Sequence, residues 1–374
     1  MIYYEVETVF VAMSGGMDSS YSAYLLKQAG YKVVGFTFDL LPSSMRSASN
    51  PRMCCSAAQM ERARRIADGL SIPHYVINMR EEFESNVIAR FVREYAAGRT
   101  PNPCILCNRH IKFDSFLRKA AAMGADRVAT GHYAGVEETP QGFVLKKGKD
   151  RAKDQSYFLY PIRYEDLPRL SFPLASRTKV EVRTASARME GRYGETAESQ
   201  DICFIPGGDY RAFIGEIVPE KKGPIVTVEG REIGFHRGMH LYTIGQRRGV
   251  NIPYREALYV VAVRPEDNAV VVGPKEALLS DSLTADEVNV LGAPPEGEAC
   301  AKVRYRQKEE LCSYALREGI LEVAFRRPVS AVAPGKAVVL YDGERVLGGG
   351  TINRAWLRPG GVSLRPGAAS QRPG

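Results

Sequence analysis

Thr100-Pro101-Asn102-Pro103-Cys104-Ile105-Leu106-Cys107 sets two thiols three residues apart, just inside a helix start. Pro101 and Pro103 hold the backbone before them extended, Asn102 is a strong N-cap, and Pro103 suits the first helical position. Cys104 and Cys107 are then expected on one face of the first turns, where the helix dipole favours thiolate. A lone C-x-x-C serves structural zinc, thioredoxin-like exchange, iron–sulfur ligation and persulfide relay alike. A four-cysteine zinc site requires a second close pair, and Cys54 and Cys55 are adjacent, which strains shared coordination. Cys203 lies in Ser199-Gln200-Asp201-Ile202-Cys203-Phe204-Ile205-Pro206 and by composition alone reads as a buried, inert thiol. Cys300 and Cys312 read as core residues.

Phosphate chemistry is suggested by Ser14-Gly15-Gly16-Met17-Asp18-Ser19-Ser20, between the first strand-like run and the first helix-like run. Glycines let backbone amides approach phosphate oxygens, and a helix N-terminus favours their charge. Asp18 is placed to hold a phosphate-bound magnesium ion. A Walker A loop needs Lys-Ser/Thr after its second glycine, and none is present. The string resembles the PP-loop of ATP pyrophosphatases, which cleave ATP to AMP and pyrophosphate while adenylating a substrate oxygen. That resemblance implies an ATP site at Ala12, Met13, Ser14, Gly15, Gly16, Met17, Asp18 and Ser19, with Phe38 and Gly131 at adenosine-contacting positions. Taken alone, Phe38 reads as core.

These groups need a scaffold, and the first 135 residues alternate strand and helix. Thr8 to Met13, Lys32 to Phe38, Pro73 to Asn78 and Asp126 to Thr130 read as strands. Ser20 to Gln28, Ala57 to Leu70, Phe83 to Ala97 and Ile111 to Met123 read as helices. Such alternation predicts an α/β, doubly wound parallel sheet, which binds ligands beyond its strand C-termini. After about residue 205 short β-rich runs take over, including Ile225 to Val228, Ala257 to Val263 and Ala269 to Val272. From Ala301 to Ile352 strands recur as in a small β-barrel or sandwich. The expected division is a PP-loop domain over 1–204, a small β-rich central domain over 205–264 and a C-terminal β-barrel over 265–357. The Pro/Gly/Ser/Arg-rich tail 358–374 is expected to be disordered.

The 374 residues, 44% hydrophobic and 25% charged, suffice for two or three cored domains. No apolar run approaches the roughly 18 residues of a membrane span, and the N-terminus has no signal-like segment. Seven cysteines fit a reducing compartment better than a disulfide framework; a cytoplasmic protein is expected. The net charge of +8 is concentrated: residues 146–192 hold twelve Lys and Arg against six Asp and Glu. That excess suits a polyanion, or a solvated face whose acids and bases alternate. Tyr157, Tyr160 and Tyr164 within it suit base stacking or core packing.

Short strings recurring in order make the chain similar to the tRNA-specific 2-thiouridylase family over nearly its whole length. They are Ala12-Met13-Ser14-Gly15-Gly16, Arg99-Thr100-Pro101-Asn102-Pro103, Thr130-Gly131-His132-Tyr133, Lys153-Asp154-Gln155-Ser156-Tyr157 and Ser199 to Pro206. Tyr242-Thr243-Ile244-Gly245-Gln246-Arg247-Arg248-Gly249, Val303-Arg304-Tyr305-Arg306-Gln307 and Leu347-Gly348-Gly349-Gly350 continue the series. The resemblance implies ATP-dependent adenylation of the wobble uridine C2 oxygen at tRNA position 34, then displacement of AMP by sulfur. Cys203 matches the cysteine that receives persulfide sulfur, and Cys107 the partner that releases it. Asn102 and Pro103, with Cys104 beside them, match the target-base pocket. His132, Lys153, Asp154, Gln155, Arg304 and Tyr305 match tRNA contacts. The implied substrates are tRNAs for Lys, Glu and Gln, and the implied sulfur source is a cysteine desulfurase or relay protein.

Two positions depart from the family. Cys104 stands where it usually has aspartate, and Lys336 follows Pro334-Gly335 where it has glutamine, replacing a neutral contact with a phosphate charge pair. The extra thiol raises an alternative in which Cys104, Cys107 and Cys203 ligate a 4Fe–4S cluster whose open iron binds sulfide. Two rival functions are a PP-loop ligase adenylating a small molecule and an RNA-binding protein with a vestigial loop. The β-rich appendage opposes the first, and the intact Ser-Gly-Gly-x-Asp-Ser string the second.

Overall fold

Val9, Phe10 and Val11 alternate between two apolar layers. Val9 and Val11 pack with Ala23, Leu26, Ala63 and Ile66, while Phe10 joins Phe36, Phe38 and Phe116 on the opposite face. A strand covered on both faces reads as a continuous apolar run, as this one does. The structure, a computed structural model, describes residues 6–42, 45, 57–188, 202–250 and 252–357. Expectations for Cys54 and Cys55, for Ser199 to Asp201 and for the tail beyond Leu357 lie outside the described residues.

Strands β1 (Thr8–Ala12), β2 (Lys32–Asp39), β3 (His74–Asn78) and β4 (Arg127–Ala129) are parallel. A hairpin follows, β5 (Ala134–Thr139) and β6 (Gly142–Lys147), and β7 (Leu170–Ser171) completes the sheet in the order β3-β2-β1-β4-β7. Helices α1 (Met17–Gln28) and α2 (Ala57–Gly69) cover one face. Helical runs over 80–96 and 103–122 cover the other, and each contains a π segment, Glu84–Ile88 and Cys107–Phe116. π segments inside α-helices concentrate at functional sites. The cysteine helix begins where the sequence places it: Cys104 N–H donates to the Asn102 side chain at 3.2 Å, and Pro103 occupies the first turn.

The central unit is a four-stranded sheet of β8 (Gly223–Thr227), β9 (Glu232–His236), β10 (Tyr259–Arg264) and β11 (Ala269–Gly273), ordered β10-β11-β8-β9. Six strands follow: β12 (Leu279–Val290), β13 (Glu296–Lys302), β14 (Glu310–Arg317), β15 (Ile320–Ser330), β16 (Ala337–Asp342) and β17 (Arg345–Leu357). They run β12-β15-β14-β13-β16-β17 and close through β12–β17 around Leu283, Val323, Val338, Leu340 and Ile352. Closure leaves the six-stranded barrel no free edge. It begins some twenty residues before the strand rhythm is readable, because β12 exposes alternate polar residues and reads as loop.

The barrel is held against the sheet domain at several points. The β5–β6 hairpin extends its sheet through the pairing of Lys146 with Arg345. Tyr157 O–H donates to the Ala337 carbonyl at 2.9 Å, and Asn289 Nδ2 donates to the carbonyls of Tyr160 and Ile162 at 2.6 and 2.7 Å. Thr100 N–H donates to the Pro334 carbonyl at 2.8 Å. A Cβ on Gly335 would lie 2.9 Å from Thr100 N, so glycine lets the barrel loop press against the chain entering the cysteine helix.

Candidate nucleotide and thiol site

At the C-terminal end of β1 the Ser14–Ser20 loop is fastened by its own hydroxyls. Ser14 N–H donates to Ser19 Oγ at 3.1 Å, and the Ser19 and Ser20 hydroxyls donate to the Gly16 carbonyl at 3.1 and 2.8 Å. Gly16 is the N-cap of α1 and provides no side-chain cap, which leaves the first-turn amides facing outward. Gly15 has φ +72°, and a Cβ there would lie 2.5 Å from the Gln59 carbonyl. Gly131 approaches from β4: a Cβ on it would meet Ser19 N at 2.7 Å and the Asp18 carbonyl carbon at 2.8 Å. Open amides, a tight backbone and a helix dipole fit a triphosphate. Phe38 is buried, with its ring edge-on to Phe116 at 4.8 Å, so it belongs to the floor beneath this end of the sheet.

Asp18 is the loop's acid. Lys179 Nζ lies 2.7 Å from each of its carboxylate oxygens, and the Tyr133 hydroxyl donates to Oδ1 at 2.8 Å. Lys179 opens the helix Lys179–Ala187, whose capping box joins Thr178 and Glu181, while Asp150 accepts the Lys179 N–H at 2.8 Å. Tyr133 is fixed in turn by Gln155, whose Oε1 accepts the Tyr133 N–H at 3.0 Å and whose N–H donates to the Tyr133 carbonyl at 2.8 Å. Asp18 would hold a phosphate-bound magnesium ion, with Lys179 moving from the carboxylate toward phosphate oxygens. Lys179 lies in no motif read from the sequence, although Thr178-Lys179-Val180-Glu181 is a readable capping box; Tyr133 lies in the Thr130–Tyr133 string, which gives no sign of its bond to Asp18.

Cys104 is exposed and Cys107 buried, so the two thiols are not equivalently placed on their helix. The helix turns from α to π at Cys107, which shifts residues beyond it relative to a regular i, i+3 face. Cys107 belongs to the large apolar cluster beneath the sheet, and Cys203, half-buried, packs against that same cluster. The two segments, 96 positions apart in the chain, therefore reach one region of the fold. Phe204 beside Cys203 anchors it, ring edges meeting Phe83 at 5.8 Å and Phe91 at 5.3 Å. Asn108, next to Cys107, is buried; its Nδ2 donates to the Phe158 carbonyl at 2.9 Å, while its Oδ1 has no partner among the described residues. Also among the described residues, no three His, Cys, Asp or Glu side chains converge as ligands of a single metal ion.

His132 follows Gly131 and is buried. Lys112 Nζ, a donor only, lies 3.4 Å from Nε2, which leaves the proton on Nδ1, 2.6 Å from Thr130 Oγ1. Burial first, and Lys112 second, hold its pKa well below the usual imidazole range, so it is neutral at pH 7. Asp154 is buried and takes the Gly148 and Ser156 N–H groups at 3.0 and 3.2 Å and the Ser156 hydroxyl at 2.9 Å; Lys153 beside it is half-buried. Arg304 is exposed and donates to the Ser330 carbonyl at 3.0 Å, and the Tyr305 ring lies 4.6 Å from Phe158. Burial, with Arg304 nearby, lowers the Lys336 pKa. Much of the basic excess over 146–192 is matched by acids: Lys146 by Glu137, Lys147 by Glu309, Lys149 by Glu181, Arg151 by Glu344 and Arg163 by Asp166.

A parallel sheet carrying a Ser-Gly-Gly-x-Asp-Ser cradle after its first strand, with no Walker lysine, defines a PP-loop nucleotide domain. Three family models match in succession: the tRNA methyl transferase HUP domain over residues 7–207, the tRNA methyl transferase PRC-barrel domain over 211–274 and the aminomethyltransferase beta-barrel domain over 280–352. The tRNA-specific 2-thiouridylase MnmA of Heliobacterium modesticaldum is 45% identical over 358 residues, covering 93% of each chain. That of Geobacter metallireducens is 46% identical over 360 residues, covering 93% of this chain and 97% of its own. The chain belongs to the tRNA-specific 2-thiouridylase family.

Proposed function

We infer that the protein is an ATP-dependent tRNA-uridine 2-sulfurtransferase. The observation that carries this is the pairing of an adenylating loop with a thiol-bearing helix in one domain, in a chain 45% identical over 93% of its length to a tRNA-specific 2-thiouridylase. The uridine C2 oxygen attacks the ATP α-phosphorus and pyrophosphate leaves, its charge met by the amides of the Ser14–Ser19 loop and by Lys179. The terminal sulfur of a Cys203 persulfide attacks C2, and AMP leaves with the oxygen. Cys107 thiolate then attacks Cys203 Sγ, which frees the thiocarbonyl and forms a Cys107–Cys203 disulfide. A dithiol reductant opens that disulfide, and a cysteine desulfurase or relay protein reloads Cys203.

Asn102, Pro103 and Cys104 border the target base in this reading, with His132, Lys153, Gln155, Arg304, Tyr305 and Lys336 along the RNA. Asp154 acts by shaping the turn that carries Lys153 and Gln155. The substrates are tRNAs for Lys, Glu and Gln. Among the described residues no helix is long and apolar enough to cross a membrane. Nucleoside mass spectrometry of tRNA from a strain lacking the gene tests the reading. Loss of wobble 2-thiouridine, restored by the gene, is expected; unchanged 2-thiouridine overturns it.

A further inference from the structure

The turn Tyr242–Gly249 does no work in the chemistry above, yet it is held rigidly. Gln246 Oε1 accepts the Thr243 N–H at 3.2 Å while its Nε2 donates to the Arg248 carbonyl at 2.8 Å. Gly245 N–H donates to the Val260 carbonyl at 2.8 Å, and Val260 N–H returns a bond to the Gln246 carbonyl at 2.9 Å. Gly245 and Gly249 have φ +87° and +85°, a region where side chains other than glycine are strained. What this frame presents is Arg247 and Arg248, adjacent and both exposed.

No ion pair or hydrogen bond engages either guanidinium among the described residues. Other arginines of the same unit are engaged: Arg237 faces Glu220 at 2.9 Å, Arg264 faces Asp267 at 2.6 Å, and Arg255 approaches Glu256. The turn's location adds to the contrast. A Cβ on Gly245 would lie 2.8 Å from the Ala331 side chain, and the preceding residue, Ser330, accepts Arg304. On its other side Thr243 Oγ1 lies 3.4 Å from the Tyr210 hydroxyl, and Tyr210 stacks on Tyr95 at 4.9 Å, within the helix that also packs Phe204 next to Cys203. The turn thus bridges the basic barrel edge at Arg304 and the segment bearing the sulfur-handling thiol.

We propose that Arg247 and Arg248 bind the phosphate backbone of the tRNA, extending the RNA-binding surface from Arg304 across the central unit; this rests on the tRNA reading above. Guanidiniums pair with phosphate oxygens through a planar fork, and a stiff turn limits the side-chain ordering that binding costs. Each phosphate neutralised releases condensed counterions.

Fluorescence anisotropy with a labelled, unmodified tRNA transcript, titrated between about 50 and 200 mM salt, tests this. The double variant Arg247→Gln/Arg248→Gln is expected to flatten the log–log salt slope by about 1.4 to 1.8, the loss of two contacts, and to bind at least about tenfold more weakly at low salt. The Arg247→Lys/Arg248→Lys variant keeps most of the slope, which separates charge from turn integrity, and a thermal midpoint confirms that both variants fold. A Gln variant that binds tRNA with wild-type affinity and slope overturns the proposal. If that variant instead loads sulfur slowly from a donor protein, the surface receives an acidic protein and the RNA assignment is wrong. Wild-type protein that binds no tRNA would overturn the functional reading itself, a result visible before any variant is compared.

Discussion

Lys179 and Asp18 stand 161 positions apart in the chain, yet the ammonium sits 2.7 Å from both oxygens of the carboxylate at the mouth of the nucleotide loop. A loop without its own lysine thereby gains a cation from a distant helix. The ammonium offsets the carboxylate's charge beside the loop amides; were Asp18 to hold a magnesium ion, Lys179 would be placed to pair with phosphate oxygens instead.

Lys179→Met leaves the Asp18 carboxylate bonded to Tyr133 but uncompensated against incoming ATP. The expected result is a KM for ATP raised about tenfold, equivalent to ~1.4 kcal/mol, and slower tRNA-dependent pyrophosphate release. Asp18→Asn is expected to abolish cleavage to AMP and pyrophosphate while leaving tRNA affinity largely intact, because the proposed partner of this carboxylate is a phosphate-bound magnesium ion rather than RNA. Since the pair is only partly buried, the Met variant should lose no more than about 1 kcal/mol of folding stability. An unchanged KM would show that Lys179 merely tethers its helix, and ADP with phosphate as products would refute adenylation.

Gly131 tests whether the close approach of β4 to the loop is required. Alanine places a carbon 2.7 Å from the Ser19 nitrogen, and the obstacle is backbone, which cannot rotate away. Gly131→Ala is expected to cost about 1–3 kcal/mol and to weaken ATP binding more than tRNA binding. Denaturant midpoints paired with nucleotide titration check both effects; equal losses for the two ligands would point to general unfolding.

His132 gives a pH signature. Burial and Lys112 depress its pKa, so the folded chain binds fewer protons at this site than the unfolded chain does. Its stability contribution is complete above the unfolded value, near 6.5, and is lost as pH falls from there toward the folded value. His74, His110, His236 and His240 are also shifted down, each mainly by burial, and act in the same direction. Thermal midpoints should therefore decline below about pH 6.5, and His132→Gln should shallow that decline. A variant with the wild-type pH slope would show that His132 takes up its proton as readily in the folded chain as in the unfolded one.

The parts of the site that depend on local chain chemistry were legible in the sequence. Asn102 and Pro103 start a helix because a cap and a missing N–H act within four residues, and Val9 to Val11 form a buried strand because their types allow little else. Relations across the fold were not legible. The two-residue strand Leu170–Ser171 has no periodicity to read, and the β5–β6 hairpin joins a barrel whose first strand begins more than 130 residues later. Lys147 and Arg151 contribute to the basic excess counted from composition, but their acids, Glu309 and Glu344, arrive from the barrel. Charge counted along the chain therefore overstates the charge available there, whereas Arg247 and Arg248, without an ion pair among the described residues, lie outside the counted stretch.

The thiols yield the sharpest division between mechanisms. With a persulfide on Cys203 and release by Cys107, Cys203→Ser and Cys107→Ser should each abolish thiolation while ATP cleavage in the presence of tRNA persists, since adenylation precedes sulfur attack. Turnover without reductant should trap a Cys107–Cys203 disulfide, visible as a cross-linked peptide by mass spectrometry. Cys104 is exposed at the helix start, where its N–H is already taken by Asn102, and the two-thiol cycle makes no use of its sulfur. Cys104→Asp should then retain activity within about threefold, less than the ~1.4 kcal/mol of a tenfold change. Anaerobic purification with iron and sulfide analysis supplies the opposing arm. If Cys104→Ser loses iron and activity together, three thiols ligate a cluster; iron-free protein with full thiolation activity leaves the disulfide cycle as the route by which sulfur reaches uridine.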